Sequence, residues 1–233
     1  HTTPHLRPSQ AAAWRAREAG VNMAAMVQSI RRSAIGLGMF AIITGGTIAI
    51  TQVATSDRIE AQVARAEAAA LFEIIPEQDH DNDLLNDTLQ LPVSSRFSAM
   101  AVTAWVARRN GVPIGLIIPT VAPDGYSGDI RLLVGIDMDG EVLGVRVTSH
   151  RETPGLGDRI ERRKSDWIEA FKGTSLESPE TGGWTVRKNG GEFDQFTGAT
   201  ITPRAVVKAV HRTLIYYREN RQNILLAASK TDD

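Results

Sequence analysis

The chain has 233 residues, 42% of them hydrophobic, and a formal net charge of −1. Such a chain can bury the core of one modest domain beside a membrane segment, and its balanced charge gives no reason to expect a nucleic-acid partner. The sequence contains no cysteine, which excludes disulfides, cysteine-ligated iron–sulfur clusters and thiol-attached haem in this chain.

An uncharged segment is the first predicted element. Residues 33–56 contain no charged side chain and are mostly apolar. The segment is long enough to form a helix that crosses a bilayer. Arg31 and Arg32 precede this segment and Asp57 follows it, so the positive-inside rule predicts a cytoplasmic N-terminus and export of the rest. A cleaved signal peptide is the alternative, but the apolar run exceeds the usual signal length and lacks a clear cleavage site. We therefore assign residues 30–55 to a transmembrane helix.

An amphipathic helix and a linker are predicted next. Ser56 is a suitable N-cap, and apolar residues recur at helical spacing over residues 59–74 until Pro76 ends the helix. The acidic stretch 77–87 is typical of a loop. Its Asp79-His80-Asp81 cluster raises the alternative of a metal site. No complete ligand set can be assembled from it, so we interpret the stretch as a solvated linker.

The remaining core is predicted to combine hairpins with separate helices. Two pairs of apolar segments flank Asn110-Gly111 and Asp139-Gly140, which are good signals for tight turns. Antiparallel hairpins with helices set apart from them indicate the α+β class. The predicted strands are Met100–Ala107, Pro113–Ile118, Ile130–Asp137, Glu141–Thr148 and a short Trp184–Lys188, and the predicted helices are Asp158–Phe171 and Pro203 to about Asn220.

Thr200 stands just ahead of the last predicted helix. Thr202 suits the N-cap of that helix and Pro203 its first helical position. The free N–H groups and the positive dipole end of a helix favour an anion nearby, so Thr200 is a plausible seat for a phosphate ester. Gly198 would let a ligand approach the backbone closely. On these local grounds alone, an ordinary turn is the commoner explanation.

The segment Asp194-Gln195-Phe196-Thr197-Gly198-Ala199-Thr200 resembles the D-x-x-[S/T]-G-A-T flavinylation motif, whose last threonine carries FMN through a phosphoester bond. Several further segments agree in order and spacing with the G subunit of the Rnf electron-transport complex, and the chain resembles that family. The related C subunit of the sodium-pumping NADH:quinone reductase shares the motif and is the nearest alternative. The matching segments are 122–128, 130–135, 146–150, 152–158, 165–167 and 191–200.

The resemblance implies a set of site residues. Thr200 would carry FMN covalently, Asp194 would belong to the sequence that is recognised for flavinylation, and Gly198 and Ala199 complete the motif. In this family a T-P-G-L-G loop lies against the isoalloxazine ring. The expected flavin neighbours in this chain are therefore Glu152, Thr153, Leu156 and Gly157, with Lys188 and Thr197 near the phosphate or the ribityl chain. For Lys188 an ordinary surface lysine is the alternative.

No residue is assigned to catalysis and none to metal binding. The sequence offers no obvious base to activate Thr200, whose hydroxyl is a poor nucleophile by itself. His150 is a lone histidine with no orienting partner in view, which favours a structural role. The resemblance implies that a separate, magnesium-dependent flavin transferase moves FMN from FAD onto the threonine.

The resemblance also implies a function. The chain would be a single-pass subunit of a bacterial inner-membrane complex, with its main domain in the periplasm, and would relay electrons within a ferredoxin:NAD oxidoreductase that moves sodium ions or protons. Its partners would be the other membrane and peripheral subunits, and it would not be active alone. A flavin-free anchored domain that serves only as an assembly scaffold is the alternative from another functional class.

Five regions follow from these interpretations. They are an N-terminal cytoplasmic segment, the transmembrane helix, an amphipathic helix with a linker, the periplasmic FMN-binding domain and a C-terminal tail, at residues 1–29, 30–55, 56–95, 96–225 and 226–233. His1 to Asn22 resemble nothing in the family. We expect those residues to be either translated from upstream of the natural start or partly non-native, with Met23 or Met26 as that start.

Overall fold

The structure, a computed structural model, describes residues 8–94, 97 and 101–230. The chain divides into two units, His1–Ala61 and Gln62–Asp233. Helix α1, Pro8–Ile74, begins in the first unit and ends in the second. Residues 1–7 of the predicted N-terminal segment and Met100, the first residue of a predicted strand, lie outside the described residues.

The first unit contains the predicted membrane segment. Within α1, Met26–Ser56 is long and apolar enough to span a bilayer, with a mean hydropathy of 1.8 and no burial inside the protein. The threonines of this segment satisfy their own hydroxyls, because each donates to the carbonyl four residues earlier at 2.7–2.8 Å. Internal satisfaction of polar groups is what a hydrocarbon environment requires. These features fit a single-pass anchor.

The predicted break at Ser56 is wrong, because α1 continues without interruption to Ile74. Ser56 Oγ donates to the Val53 carbonyl at 2.9 Å, a bond inside the helix rather than a cap. Residues 57–74 contain neither glycine nor proline, so nothing in them stops a helix. The helix does end before Pro76, as predicted, since proline disfavours the helical conformation of the preceding residue. The side chains of residues 59 and 63, part of the predicted apolar stripe, lie outside the described ones.

The second unit is built on an antiparallel sheet. Both predicted hairpins are confirmed, with Asn110 at φ 53° and Gly111 at φ 75° in the first turn. A strand that was not predicted, β1, pairs with β2 at the sheet edge. It is four residues long, too short for a periodic signal, and is defined by its partner. The described strands, which neighbour one another in chain order, are β1 (Thr88–Leu91), β2 (Val102–Arg109), β3 (Val112–Ala122), β4 (Ile130–Asp137) and β5 (Val142–Ser149).

Both faces of this sheet are covered. Helix α2, Ile201–Ala228, lies on one face, and its predicted apolar stripe is buried as expected, at Val206, Val207, Val210, Leu214 and Tyr217. The C-terminal end of α1 covers the opposite face with Leu71, Ile74 and Ile75. Along β3, Leu116 and Ile118 belong to the first core and Ile117 to the second. Burial on both faces explains why β3 and β4 are almost continuously apolar.

A pair of glycines makes room for the end of α1. Gly135 on β4 lies opposite Gly144 on β5. A Cβ atom at Gly135 would stand 2.2 Å from Ile74 Cγ2, and one at Gly144 would stand 3.6 Å from the Ile74 backbone. The missing side chains therefore form a groove for Ile74, which is 5% exposed.

Two predicted elements differ from the structure. The stretch 158–171 is not one helix but two 3₁₀ segments, Gly157–Ile160 and Asp166–Phe171, because Ser165 caps the second by accepting a hydrogen bond from the Trp167 N–H at 3.2 Å. The predicted strand 184–188 makes only an isolated bridge, from Val186 to Phe193. Gly190, at φ 86°, reverses the chain before a ladder can form.

We expect Gly135→Ala to lower the free energy of unfolding by about 1–3 kcal/mol, the usual effect of overpacking a filled core. The measurement is denaturant unfolding of the full chain in detergent, followed by tryptophan fluorescence. Gly182→Ala is the control, since its new methyl group would have no neighbour within 4 Å. Equal stability of the two variants would show that Ile74 does not occupy the groove.

Candidate functional site

A cavity of about 400 Å³ brings together the two segments that the sequence singled out. Its volume lies within the range of about 300–1,000 Å³ that is typical of small-molecule sites. The loop after β5 forms one wall and the start of α2 the other. The lining residues are Tyr126, Glu152, Thr153, Leu156, Gly157, Gly198, Ala199, Thr200, Ile201 and Thr202. Seven of the ten predicted site residues therefore share one cavity, while Lys188, Asp194 and Thr197 do not line it.

Thr200 is the N-cap residue of α2, but its hydroxyl does not cap the helix. Its backbone is helical, at φ −84° and ψ −20°, and the side chain makes no capping hydrogen bond. The side chain is exposed. Its hydroxyl is thus accessible to chemistry beside the N–H groups of the first helical turn, which favour an anion.

The predicted N-cap role of Thr202 is wrong. Helix α2 begins at Ile201, so Thr202 lies inside the first turn. Thr202 is fully buried and its hydroxyl donates to Glu152 Oε2. The hydroxyl that was expected to cap the helix is instead bonded to the carboxylate of Glu152, in the loop after β5. Pro203 is tolerated in this turn because the first four N–H groups of a helix have no intrahelical partner.

A tight turn presents the flavinylation-like motif. The Ala199 N–H donates to the Phe196 carbonyl at 3.1 Å, and Gly198 has φ 85°. This left-handed conformation favours glycine. Phe196 is buried, and Trp167 packs against it edge to face at 5.1 Å. The aromatic anchor holds the turn that leads into Thr200.

Glu152 joins three segments around the cavity. It is 4% exposed. Its Oε1 accepts a hydrogen bond from the Ser127 N–H at 2.8 Å, and its Oε2 accepts the Thr202 hydroxyl. The loop before β4, the loop after β5 and the first turn of α2 are therefore linked through one carboxylate. The sequence suggested Glu152 as a flavin neighbour but did not reveal these partners.

Two glycines allow this close arrangement. A Cβ atom at Gly157 would lie 3.0 Å from both Glu152 Oε2 and Thr202 Oγ1. A Cβ atom at Gly125 would lie 3.1 Å from Glu152 Oε1 and 2.2 Å from the Gly128 carbonyl. Both distances to the carboxylate are shorter than most Cβ contacts, so side chains at these two positions would displace it.

His150 has the partner that the sequence did not show. Its Nδ1 accepts a hydrogen bond from the Glu152 N–H at 3.0 Å, so that nitrogen carries no proton. The proton lies on Nε2, which donates to Glu161 Oε1 at 2.9 Å. Burial opposes the ionisation of Glu161, but hydrogen bonds from His150 and Arg163 outweigh it and lower the pKa of the Glu161 carboxyl. The histidine orients the loop that contains Glu152.

The three predicted residues outside the cavity have other contacts. Lys188 is exposed, and its backbone N–H donates to Gln195 Oε1 at 2.9 Å. The Asp194 carbonyl accepts the Trp167 indole N–H at 2.8 Å, and its carboxylate pairs with Arg187 at 3.2 Å on an exposed surface. Thr197 is exposed in the tight turn. Their proposed roles in flavin binding or attachment stay predictions.

Three partly exposed apolar or aromatic side chains stand at the rim of the cavity. Tyr126, Leu156 and Ile201 are 67%, 43% and 37% exposed. Together with the backbone N–H groups of the first turn of α2, they offer an apolar face for a flat ring and donors for an anion. This is the combination that a flavin mononucleotide needs.

Metal binding finds no support among the residues that the structure describes. No group of three or more His, Asp or Glu side chains there could hold an ion. His80, in the cluster considered from the sequence, instead packs against Phe72 and contacts the Asn82 carbonyl. The stretch 77–87 is not wholly solvated, since Leu84 is 1% exposed and belongs to the second core.

Comparisons with known proteins identify the family of the domain that contains this cavity. Residues 125–215 match the FMN-binding domain family, and residues 23–74 match the RnfG N-terminal region. The chain is 48% identical over 200 residues to the G subunit of the ion-translocating oxidoreductase complex of Vibrio vulnificus, covering 86% of this chain and 95% of that protein. It is 46% identical over 203 residues to the protein of the same name from Pseudomonas aeruginosa, covering 87% and 95%. All the residues that line the cavity lie within the matched FMN-binding region.

We expect Gly157→Ala to lower the free energy of unfolding by about 1–3 kcal/mol and to lower the amount of FMN that the chain acquires, because its methyl group would displace Glu152 and Thr202. Denaturant unfolding and the flavin content of the purified chain measure these effects. Gly182→Ala again serves as the control, since that position is open. A Gly157→Ala variant with unchanged stability and flavin content would contradict the packing described above.

Proposed function

The chain belongs to the family of the G subunit of ion-translocating oxidoreductase complexes, and from this premise we propose that it holds FMN covalently on Thr200 and relays electrons within such a complex. Its membership makes it a membrane-anchored FMN subunit of a translocase complex, with the other subunits of the complex as partners. The covalent bond, the orientation in the membrane and the path of the electrons are the proposed part.

One observation carries the assignment of Thr200. It is the exposed hydroxyl at the start of α2, inside the FMN-binding region, on the wall of the cavity and free of a capping role. Thr202, two residues later, is buried and bonded to Glu152. Of the two threonines that line the start of α2 in this cavity, Thr200 is therefore the one available for a phosphoester.

The residues of the cavity have distinct tasks in this proposal. The first turn of α2 supports the phosphate through its N–H groups, and the apolar side chains of Leu156 and Ile201 cover the ring. FMN supplies the ability to accept and donate electrons, while the protein sets its orientation and potential. With no cysteine in the chain, electrons must pass on to centres in other subunits.

Attachment is proposed to require a separate flavin transferase. The carboxylate in the cavity wall, that of Glu152, is already engaged by Ser127 and Thr202. A threonine hydroxyl needs a base to become a good nucleophile. We therefore expect the transferase to supply the base and to recognise the exposed turn that contains Asp194 and Thr197.

Two alternatives are less well supported. The C subunit of a sodium-translocating NADH:quinone reductase shares the motif, but the relatives from Vibrio vulnificus and Pseudomonas aeruginosa carry the name of the G subunit. A flavin-free assembly scaffold would not need the match to the FMN-binding domain. The identity of the subunits that copurify with the chain distinguishes the first alternative from the proposal. A fluorescent flavin band after denaturation would exclude the second.

The proposed location is the bacterial inner membrane, with the second unit in the periplasm. Arg31 and Arg32 lie near the N-terminal end of the candidate span Met26–Ser56, and Asp57 directly follows it. Positive charge is retained on the cytoplasmic side.

Thr200→Val is expected to abolish covalent flavin while the domain stays folded, because valine keeps the shape and removes only a hydroxyl that does not cap α2. In-gel flavin fluorescence after denaturation measures attachment. Thr88→Val, at an exposed position of β1, is the matched control and should keep its fluorescence.

Fluorescence that persists on the Thr200→Val chain would refute the attachment site. The same variant, assembled in membranes, tests the electron path through ferredoxin-dependent NAD reduction. We expect a large loss of that rate with the other cofactors intact, and an unchanged rate would place the flavin off the path.

The proposed topology predicts the outcome of reporter fusions after Lys230. An enzyme that is active only in the periplasm should work at that position, because Arg31 and Arg32 hold the N-terminal side of the span in the cytoplasm. A matched fusion that is active only in the cytoplasm is the control and should be silent. Activity of the cytoplasmic reporter would reverse the orientation.

A further inference from the structure

We propose that the carboxylate of Glu152 sets the reduction potential of the flavin in this cavity, as a fixed negative charge in the cavity wall. The inference rests on the proposed function, because it requires FMN at this site. It adds a task for Glu152 beyond holding the surrounding loops together.

The first observation is that Glu152 is buried without a cation. It lines the cavity and is 4% exposed. Its two oxygens accept hydrogen bonds from the Ser127 N–H and the Thr202 hydroxyl, which are both neutral donors. Among the described residues no lysine, arginine or histidine forms an ion pair with it. A carboxylate in this position is uncommon, since buried charges in proteins are usually paired.

The neighbouring ionisable groups differ from Glu152 in this respect. Asp158 lies 3.6 Å from Lys164, and Glu161 pairs with Arg163 at 2.7 Å. Asp124 is exposed and paired with Lys208, which lowers the pKa of its carboxyl. Their charges are compensated or screened by solvent. Glu152 is 4% exposed and has no ion pair among the described residues, so its charge is held in the cavity wall by neutral donors at the positive end of α2.

Geometry alone does not require a charge at this position. A glutamine side chain has the same shape. Its carbonyl oxygen could accept the Ser127 N–H, and its amide could donate to Thr202 Oγ1. The two hydrogen bonds that join the three segments could therefore be made by a neutral residue. What glutamine cannot supply is the negative charge.

A fixed negative charge has a defined effect on a redox cofactor. Reduction adds electrons to the cofactor, and a nearby anion in a poorly screened cavity disfavours that addition. The potential of the bound flavin is therefore lowered, and it becomes a stronger electron donor to its partner in the complex. Charge close to the ring is one of the means by which proteins tune flavins.

The test is a mediator-assisted redox titration of the full, flavinylated chain in detergent, followed by flavin absorbance. In the flavinylated fraction of Glu152→Gln, the midpoint potential should shift to more positive values. Glu152→Asp, which keeps the charge, should shift it much less. Asp124→Asn is the control, because it removes an exposed and paired charge and should leave the potential unchanged.

Each outcome decides the proposal. A positive shift for Glu152→Gln that exceeds the shifts of the other two variants supports it. A Glu152→Gln chain with covalent flavin and an unchanged potential overturns it. Loss of flavin in Glu152→Gln also overturns it, because the carboxylate would then serve attachment or folding rather than potential. None of these results bears on Thr200 as the attachment site. That assignment fails only if the Thr200→Val chain keeps its flavin.

Discussion

The hydrogen bonds of the Glu152 carboxylate connect the parts of the chain that form the cavity. One oxygen holds the loop before β4 through the Ser127 N–H, and the other holds the first turn of α2 through Thr202. Gly125 and Gly157 leave the space that these contacts need. Because Thr200 directly precedes that helical turn, the position of its hydroxyl follows from a residue far away in the sequence.

The sheet supplies the rigid support for this arrangement. Helix α2 packs along one face, and a pair of buried hydroxyls, Thr120 on β3 and Thr213 on α2, lies 2.8 Å apart between them. At the other end of α2, Arg108 of β2 donates to the Ala228 carbonyl at 2.6 Å and pairs with Asp87. A helix fixed at both ends presents its N-terminal residues in a constant position, which is what a binding site for a cofactor requires.

The end of α1 is joined to the same framework by charge as well as by packing. Arg146 on β5 is 9% exposed and pairs with Glu73 of α1 at 2.7 Å and with Glu169 at 2.8 Å. Ile74 fills the groove above Gly135 and Gly144. The last turns of the helix that leads from the candidate membrane segment are therefore part of the core of the second unit, on the same sheet that supports the cavity.

Local patterns in the sequence determined several features by themselves. The uncharged apolar run, the Asn110-Gly111 and Asp139-Gly140 turns and the apolar stripe of α2 depend on residues close together in the chain, so their outcome could be predicted. The motif that ends at Thr200 and the loop at Glu152 resemble segments of the G-subunit family, and this resemblance identified most of the cavity wall. Other features were decided only by the tertiary structure. Strand β1 needs β2 beside it, Thr202 leaves its expected cap because Glu152 accepts its hydroxyl, and His150 gains Glu161 as a partner. Each of these depends on groups that only the folded chain brings within hydrogen-bonding distance. The spacing of residues along the sequence does not reveal such pairs.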